Sequence, residues 1–420
     1  VAAMPTPQRP GLLATAAIAA GLLFTAAPAM AQLKSYDSSR PSFWQNPPPD
    51  WFLGDETEEQ KGLAPPVGPA TPTPLAELQE NLKKIKLPPG FRIEVWAHGI
   101  PEARQMAWGD NGTLFVGSFG ATNVYAVTER NGQRSVATIL KGLNMPTGVA
   151  FRDGALYVAA INKILRYDNA ERSLENMPQP VTLYDDLPPY VAHGWKYLVM
   201  DREGAMYFNV GVPFNIGIPP AGTAHIRRVH TNGLGEQVAM GVRNSVGGDI
   251  DPRTGQFWFT ENARDWLSND LPSDKLNRLE RIGTHFGYPY CHQGDLPDPK
   301  FNAGQNCANF TPPVLNLGAH VAPLGMKFYT GSMFPAEYRN NVLIAEHGSW
   351  NRRVYQGGRI MRVQVDADGK NARQEVFAEG WLTGAQEYSG RPNDIIVARD
   401  GSILVADDWA GAIYRISYSR

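Results

Sequence analysis

Three stretches of the chain put reactive or anion-seeking side chains at equivalent points of a repeated pattern. They are His193-Gly194-Trp195, Arg243-Asn244 and Arg391-Pro392-Asn393-Asp394, each directly ahead of an apolar strand. An imidazole accepts a proton near neutral pH. A guanidinium presents a planar fork that matches a carboxylate, and the neighbouring amides add hydrogen-bonding groups. Arg104-Gln105, Pro146 and Ala322-Pro323 hold the corresponding places in the remaining repeats. Any one of these residues taken alone reads as an ordinary turn residue. Their agreement in register points to a single opening that receives an anion.

The elements that must position them are short strands. Each repeat runs strand, Gly-containing turn, strand, and later a third strand. One repeat is Gly148-Val149-Ala150-Phe151, Asp153-Gly154, Leu156-Tyr157-Val158 and Ile164-Leu165-Arg166-Tyr167; another is Ile395-Ile396-Val397, Asp400-Gly401, Ile403-Leu404-Val405 and Ile413-Tyr414-Arg415-Ile416. Repeats of about 40 to 50 residues built this way mark a β-propeller with one blade per repeat. Six copies predict an all-β chain with a six-bladed β-propeller over residues 87–420. In such a ring the strand nearest the axis starts at the same rim in every blade, so the residues ahead of it converge. The alternating Phe91, Ile93 and Val95 precede the first full copy and are expected to complete the last blade, closing the ring and removing a free sheet edge. Ahead of the ring, residues 32–86 form a Pro-rich extension. Within it Leu75, Leu78, Leu82 and Ile85 recur at helical spacing until Pro88-Pro89.

Composition narrows the partners. The 39 Lys and Arg balance 41 Asp and Glu, so the basic excess that a nucleic-acid partner calls for is missing. With 42 Gly and 34 Pro, the chain is also unsuited to a helical bundle. Residues 1–31 read as a signal peptide: Arg9, an apolar run from Gly11 to Ala27, and an Ala29-Met30-Ala31 site with cleavage expected before Gln32. The mature chain is then expected to be periplasmic or secreted, with no membrane span. In that compartment the two cysteines, Cys291 and Cys307, are expected to form a disulfide; a metal pair is the rival reading. A covalent haem is excluded because no Cys-x-x-Cys-His occurs.

Several further pieces stand in order along the repeats: Thr260-Glu261, Asp274-Lys275-Leu276-Asn277, Gly287-Tyr288-Pro289 and Gly390-Arg391-Pro392-Asn393-Asp394. Together with His193-Gly194 and Arg243-Asn244 they make the chain, from Leu87 onward, resemble the soluble quinoprotein glucose and sorbosone dehydrogenases. The Arg264-Asp265-Trp266-Leu267 insert looks closer to the sorbosone branch. The resemblance implies a propeller that binds pyrroloquinoline quinone (PQQ) and calcium on one face. It implies oxidation of a sugar or sugar-derived aldehyde, with electrons passed to an external acceptor such as a cytochrome c or a quinone. By the same resemblance His193 would be the general base and Arg243 would sit beside the reactive carbonyl. Asn244 would bond the cofactor, and the backbone carbonyls of Ala263 and Arg264 would hold calcium. Arg391, then Arg352 or Arg353, are the candidates for the cofactor carboxylates, with Asn393 beside them; Gln105 and Trp195 are the candidate substrate contacts. The chain departs from the family at Val212 and Ala192, where relatives place acidic residues near the base, and at Lys275, where a second calcium site has Glu. The group that orients His193 and the number of calcium sites stay open. Two other classes compete: a six-bladed, calcium-dependent lactonase-type hydrolase, and a propeller that only binds.

Overall fold

The computed structural model describes residues 57–419. The expected signal peptide and its cleavage site lie outside the described residues. Among those described, six sheets of four or five strands follow one another, and a two-stranded ribbon, Cys291–His292 with Leu296–Pro297, forms a seventh. In the first blade the antiparallel order is Ala103–Trp108, Leu114–Ser118, Val124–Arg130 and Gln133–Leu140. The second to fifth blades start at Gly148–Arg152, Val199–Met200, Gly248–Ile250 and Pro323–Phe328.

The sixth blade is assembled from both ends of the described chain. Pro392–Val397, Ile403–Asp407 and Ala412–Tyr418 are completed by Phe91–His98, with Phe91 opposite Tyr418 and Ile93 opposite Ile416. Strand closure by the early Phe91, Ile93 and Val95 segment is therefore present as expected.

Local sequence explains the hairpins. Arg152 pairs with Ala155 across Asp153-Gly154, whose φ angles are 51° and 79°. Two positive φ values in a two-residue loop give the turn whose twist matches the strands it joins, and Gly meets that demand without a Cβ penalty. The apolar residues of adjacent blades interlock into separate cores. Trp258 of the fourth blade meets Phe328 of the fifth edge to face at 5.4 Å, and Tyr207 of the third stacks on Phe257 of the fourth at 4.8 Å. Each fully buried side chain of this size contributes about 1.5–3 kcal/mol. A helix over Leu75–Leu82 buries Leu78 and Leu82 in the core between the fifth and sixth blades.

Candidate active site

The turn ahead of the third blade carries His193 at φ 50°, a left-handed conformation that His adopts more readily than most residues. The ring is buried, and its Nδ1 lies 2.7 Å from the Val212 carbonyl oxygen. A carbonyl only accepts, so Nδ1 carries the hydrogen and the neutral ring presents its lone pair on Nε2. Burial, reinforced by the Arg243 guanidinium, holds the His193 pKa well below 6.5 against the pull of that carbonyl. Val212 thus does through its backbone what the acidic residue of relatives was expected to do. Gly211 is required beside it, since a Cβ there would stand 2.6 Å from the His193 Cβ. Trp195 meets the His193 ring edge to face at 5.5 Å and Phe119 at 5.0 Å.

Arg243 is fixed on several sides. Its Nε donates to the Asn215 carbonyl at 2.8 Å, and its Nη2 reaches Asn215 Oδ1 at 3.1 Å and Asp265 Oδ2 at 3.2 Å. Its backbone amide donates to Glu261 Oε1 at 2.9 Å. The other carboxylate oxygen of Glu261 accepts from Asn277 and pairs with Lys275, both at 2.9 Å. Lys275 therefore neutralises a buried carboxylate, and the Thr260-Glu261 and Asp274-to-Asn277 stretches act as supports under Arg243. Tyr288 packs against Val212 and donates to the Asn215 carbonyl at 3.3 Å.

One cavity gathers residues that stand far apart in sequence. Its wall includes His193, Trp195, Arg243, Asn244, Ala263 and Arg391, all singled out from the sequence. It also includes Arg104, Asn262, Asp265, Asp274, His347 and Asn351. Asn262 and His347, and Phe119, which also lines the wall, each follow directly on the second strand of a blade. Those strands run antiparallel to the first, pairing Ala103 with Ser118 and Pro323 with Glu346, so their ends return to the same rim. That signal is readable in the repeats, and inspection of first-strand starts alone passes over it. Arg104 pairs with Asp408 at 3.0 Å and lies 4.3 Å over the Phe119 ring. His347 Nε2 is 2.7 Å from Asp408 Oδ1. Burial and then the Arg391 charge push His347 down to about 3; burial opposes ionisation of Asp408, but His347 and Arg104 outweigh it and keep that carboxyl well below its usual range.

Three residues named from the sequence for their side chains, Gln105, Asn393 and Arg352, are engaged elsewhere. The Gln105 side chain is spent on structure: Nε2 donates to the Leu198 carbonyl at 2.6 Å, and Oε1 accepts from the amides of Val149 and Leu198. Asn393 donates to the Ala103 carbonyl at 2.8 Å. Arg352 turns toward Asp270, at 3.0 Å, and the Val354 carbonyl. The Arg264 guanidinium pairs with Asp298 at 2.7 Å, a side-chain contact that does not involve the backbone carbonyl expected to hold calcium. The weaker alternative, Arg353, binds the backbone of Glu59 and Lys61. Cys291 and Cys307 are joined in a disulfide.

The donor set of the wall fits a planar polyanion. Three guanidinium groups, from Arg104, Arg243 and Arg391, surround it. Asn244 Oδ1, an acceptor, is buried there with no hydrogen-bond partner among the described residues, a cost that a ligand N–H or O–H removes and an anionic oxygen does not. Arg391 is buried, its Nε donating to the His347 carbonyl at 2.9 Å and its Nη2 to the Gly348 carbonyl at 2.6 Å, with Tyr388 4.7 Å from the guanidinium carbon. Ala263, Asp265 and Asp274 also line the wall; Asp265 already accepts from Arg243 and Asn351, and no group of three or more acidic, His or Cys side chains among the described residues is placed to hold a metal. Asp274 accepts from the amides of Ala263 at 2.7 Å and Ala322 at 3.0 Å, and burial raises it to about 7.

The family model described as TrAA12-like matches residues 85–419. An uncharacterized protein of Borreliella burgdorferi is 34% identical over 356 residues, 81% of this chain and 93% of that protein. The pyrroloquinoline quinone-dependent pyranose dehydrogenase of Coprinopsis cinerea is 27% identical, over 78% of this chain and 54% of the enzyme, so the chain spans about half the length of that relative. The solved holo form of the same dehydrogenase's PQQ domain superposes with a TM-score of 0.69 at 22% identity, over 79% of this chain and 97% of the domain, which speaks for a shared fold.

Proposed function

The chain belongs to the TrAA12-like family, and on that premise we propose that its propeller, residues 87–420, is a PQQ- and calcium-dependent dehydrogenase that oxidises a sugar or sugar-derived aldehyde of the aldose or sorbosone type. The observation that carries this reading is the meeting of a buried, oriented imidazole, His193, with Arg104, Arg243 and Arg391 on one wall. The relatives that carry a named activity point the same way, being PQQ-dependent sugar dehydrogenases.

Bound in this cavity, PQQ would supply an electrophilic quinone, the hydride acceptor that a sugar oxidation requires. His193 Nε2 removes the hydroxyl proton of the hemiacetal or aldehyde hydrate, so that the C–H electron pair departs as the C=O bond forms. The Val212 carbonyl keeps the ring in the tautomer that can do this, and stabilises the imidazolium that results. Arg391, Arg104 and Arg243 would hold the anionic cofactor, while Trp195, itself backed by Phe119, packs against His193. Calcium would be held at the Ala263 carbonyl with the neighbouring Asp265 and Asp274, supplying a positive charge next to Arg243. Electrons leave to a separate acceptor, a cytochrome c or a quinone. We place the enzyme in the periplasm or outside the cell; among the described residues no helix is long and apolar enough to cross a membrane.

The test is a titration of apoprotein with PQQ and calcium while dye reduction is followed with a panel of sorbosone, aldoses and simple aldehydes. Sugar-dependent reduction that saturates with PQQ is the expected result. Lactone hydrolysis without PQQ would favour the hydrolase, and ligand binding without either reaction a binding module.

A further inference from the structure

We propose that residues 57–74, ahead of the family-matched region, form a fixed wall of the substrate entrance, admitting a free monosaccharide or open-chain aldehyde and excluding the end of a longer saccharide. The inference rests on the dehydrogenase reading for the identity of the substrate.

The segment is anchored through a buried amide. Gln60 is 0% exposed, and its Nε2 donates to the Ser268 carbonyl at 2.9 Å and the Asn351 carbonyl at 2.8 Å. Those carbonyls belong to two different loops. One follows the fourth blade's second strand and carries Asn262, Ala263 and Asp265; the other follows the fifth blade's and carries His347, Trp350 and Asn351. One side chain therefore bridges the two loops that supply the cavity's cation side, and Asn351 itself donates to Asp265. Arg353 adds two bonds to the segment's backbone, Nε to the Glu59 carbonyl at 2.7 Å and Nη2 to the Lys61 carbonyl at 2.8 Å. The Asn269 amide donates to Glu59 Oε1 at 2.6 Å.

From this anchor the chain reaches the cavity at Pro65. Leu63 is 6% exposed, and Pro65 is buried and forms part of the cavity wall beside Trp195 and Trp350. The far end is tied to the sixth blade, where the Thr73 amide donates to the Ala410 carbonyl at 2.9 Å. Pro65, Pro66, Pro69, Pro72 and Pro74 stand between or beside the two attachments, and each locks φ and removes a donor, which stiffens the span. Tethered at both ends and stiff between them, the segment acts as a wall. Through Pro65 it narrows the space at the mouth that a sugar bonded to further sugars would need.

The test uses the full chain. Gln60→Ala/Arg353→Ala unhooks the segment, and faster tryptic cleavage after Lys61 reports its release. In holoenzyme, the ratio of kcat/KM for maltotriose to that for glucose is expected to rise at least about tenfold on release, with PQQ affinity unchanged. A ratio within twofold of wild type in a released segment would overturn the proposal. A second readout is independent of turnover. The chain's two cysteines are joined to each other, so Val246→Cys, on the cavity wall, provides a single thiol. In the apoprotein N-ethylmaleimide should label it in both backgrounds, and a maltotriosyl maleimide only after release. Equal labelling by the large reagent before and after release would refute the wall even if the dehydrogenase reading stands. Size-selective labelling in a protein that oxidises no sugar would keep the wall and refute the reading. Should the double variant unfold, Gln60→Ala alone is carried through the same measurements.

Discussion

His193→Asn removes the base with little disturbance to its surroundings. Asparagine tolerates the positive φ at this position and keeps a donor for the Val212 carbonyl, so stability should change by less than about 1.5 kcal/mol. The loss in rate follows from the state of the ring. Its pKa is held well below 6.5 by burial and by Arg243, so at pH 7 at least about three quarters of the molecules carry the neutral, proton-accepting form. The full contribution of a positioned base, about 10²- to 10⁴-fold or about 3–5 kcal/mol of barrier, is then at stake. Saturated with PQQ and calcium, the variant is expected to lose at least about 100-fold in kcat while binding PQQ within twofold of wild type. Stopped-flow reduction of bound PQQ, with PQQ affinity measured separately by absorbance titration, distinguishes the two effects. In the wild-type apoprotein, ¹H–¹⁵N correlation of the ring should show hydrogen on Nδ1 and a neutral ring at pH 6.5. A pKa of this sign also places the apoprotein's titration below the ordinary histidine range, lower than the imidazole chemistry alone would suggest. Near-wild-type kcat in His193→Asn, or a ring protonated at pH 6.5, would refute the assignment.

Arg391→Ala should weaken PQQ binding by at least about tenfold while kcat at saturation falls far less; it should also cost on the order of 2–3 kcal/mol, because the carbonyls of His347 and Gly348 lose a charged donor. An unchanged PQQ dissociation constant would remove Arg391 from the cofactor site. Replacing Cys291 and Cys307 by Ser opens a loop of separation 16 and should lower stability by about 3 kcal/mol, leaving turnover per bound PQQ intact; denaturant titration alongside activity decides. Exhaustive chelation should abolish activity and loosen PQQ in equilibrium dialysis, with calcium restoring both, whereas full activity in metal-free protein would exclude the cation.

The repeats, their Gly turns and the closing strand at Phe91–His98 were legible in the sequence because short apolar runs bounded by turn residues are local signals; strands such as Leu114–Ser118 and Ile403–Asp407 are buried throughout. Convergence of His193, Arg243 and Arg391 on one rim was legible as well, because every first strand starts at the same end of its blade. Which neighbour in each pair faces the cavity was decided only in three dimensions. The ladders are irregular between Ala103 and Met106 and between Pro392 and Asp394, and such bulges re-aim side chains against simple alternation. Arg104 therefore reaches the wall while Gln105 stitches blades together, and Arg391 does so while Asn393 does not. The partner of His193 is a backbone carbonyl, which any residue at position 212 could supply, so no side-chain type marks it. The placement of Pro65 depends on Gln60 and Arg353 meeting elements more than 200 residues away in sequence, contacts that exist only once the ring has closed and brought those loops to one mouth.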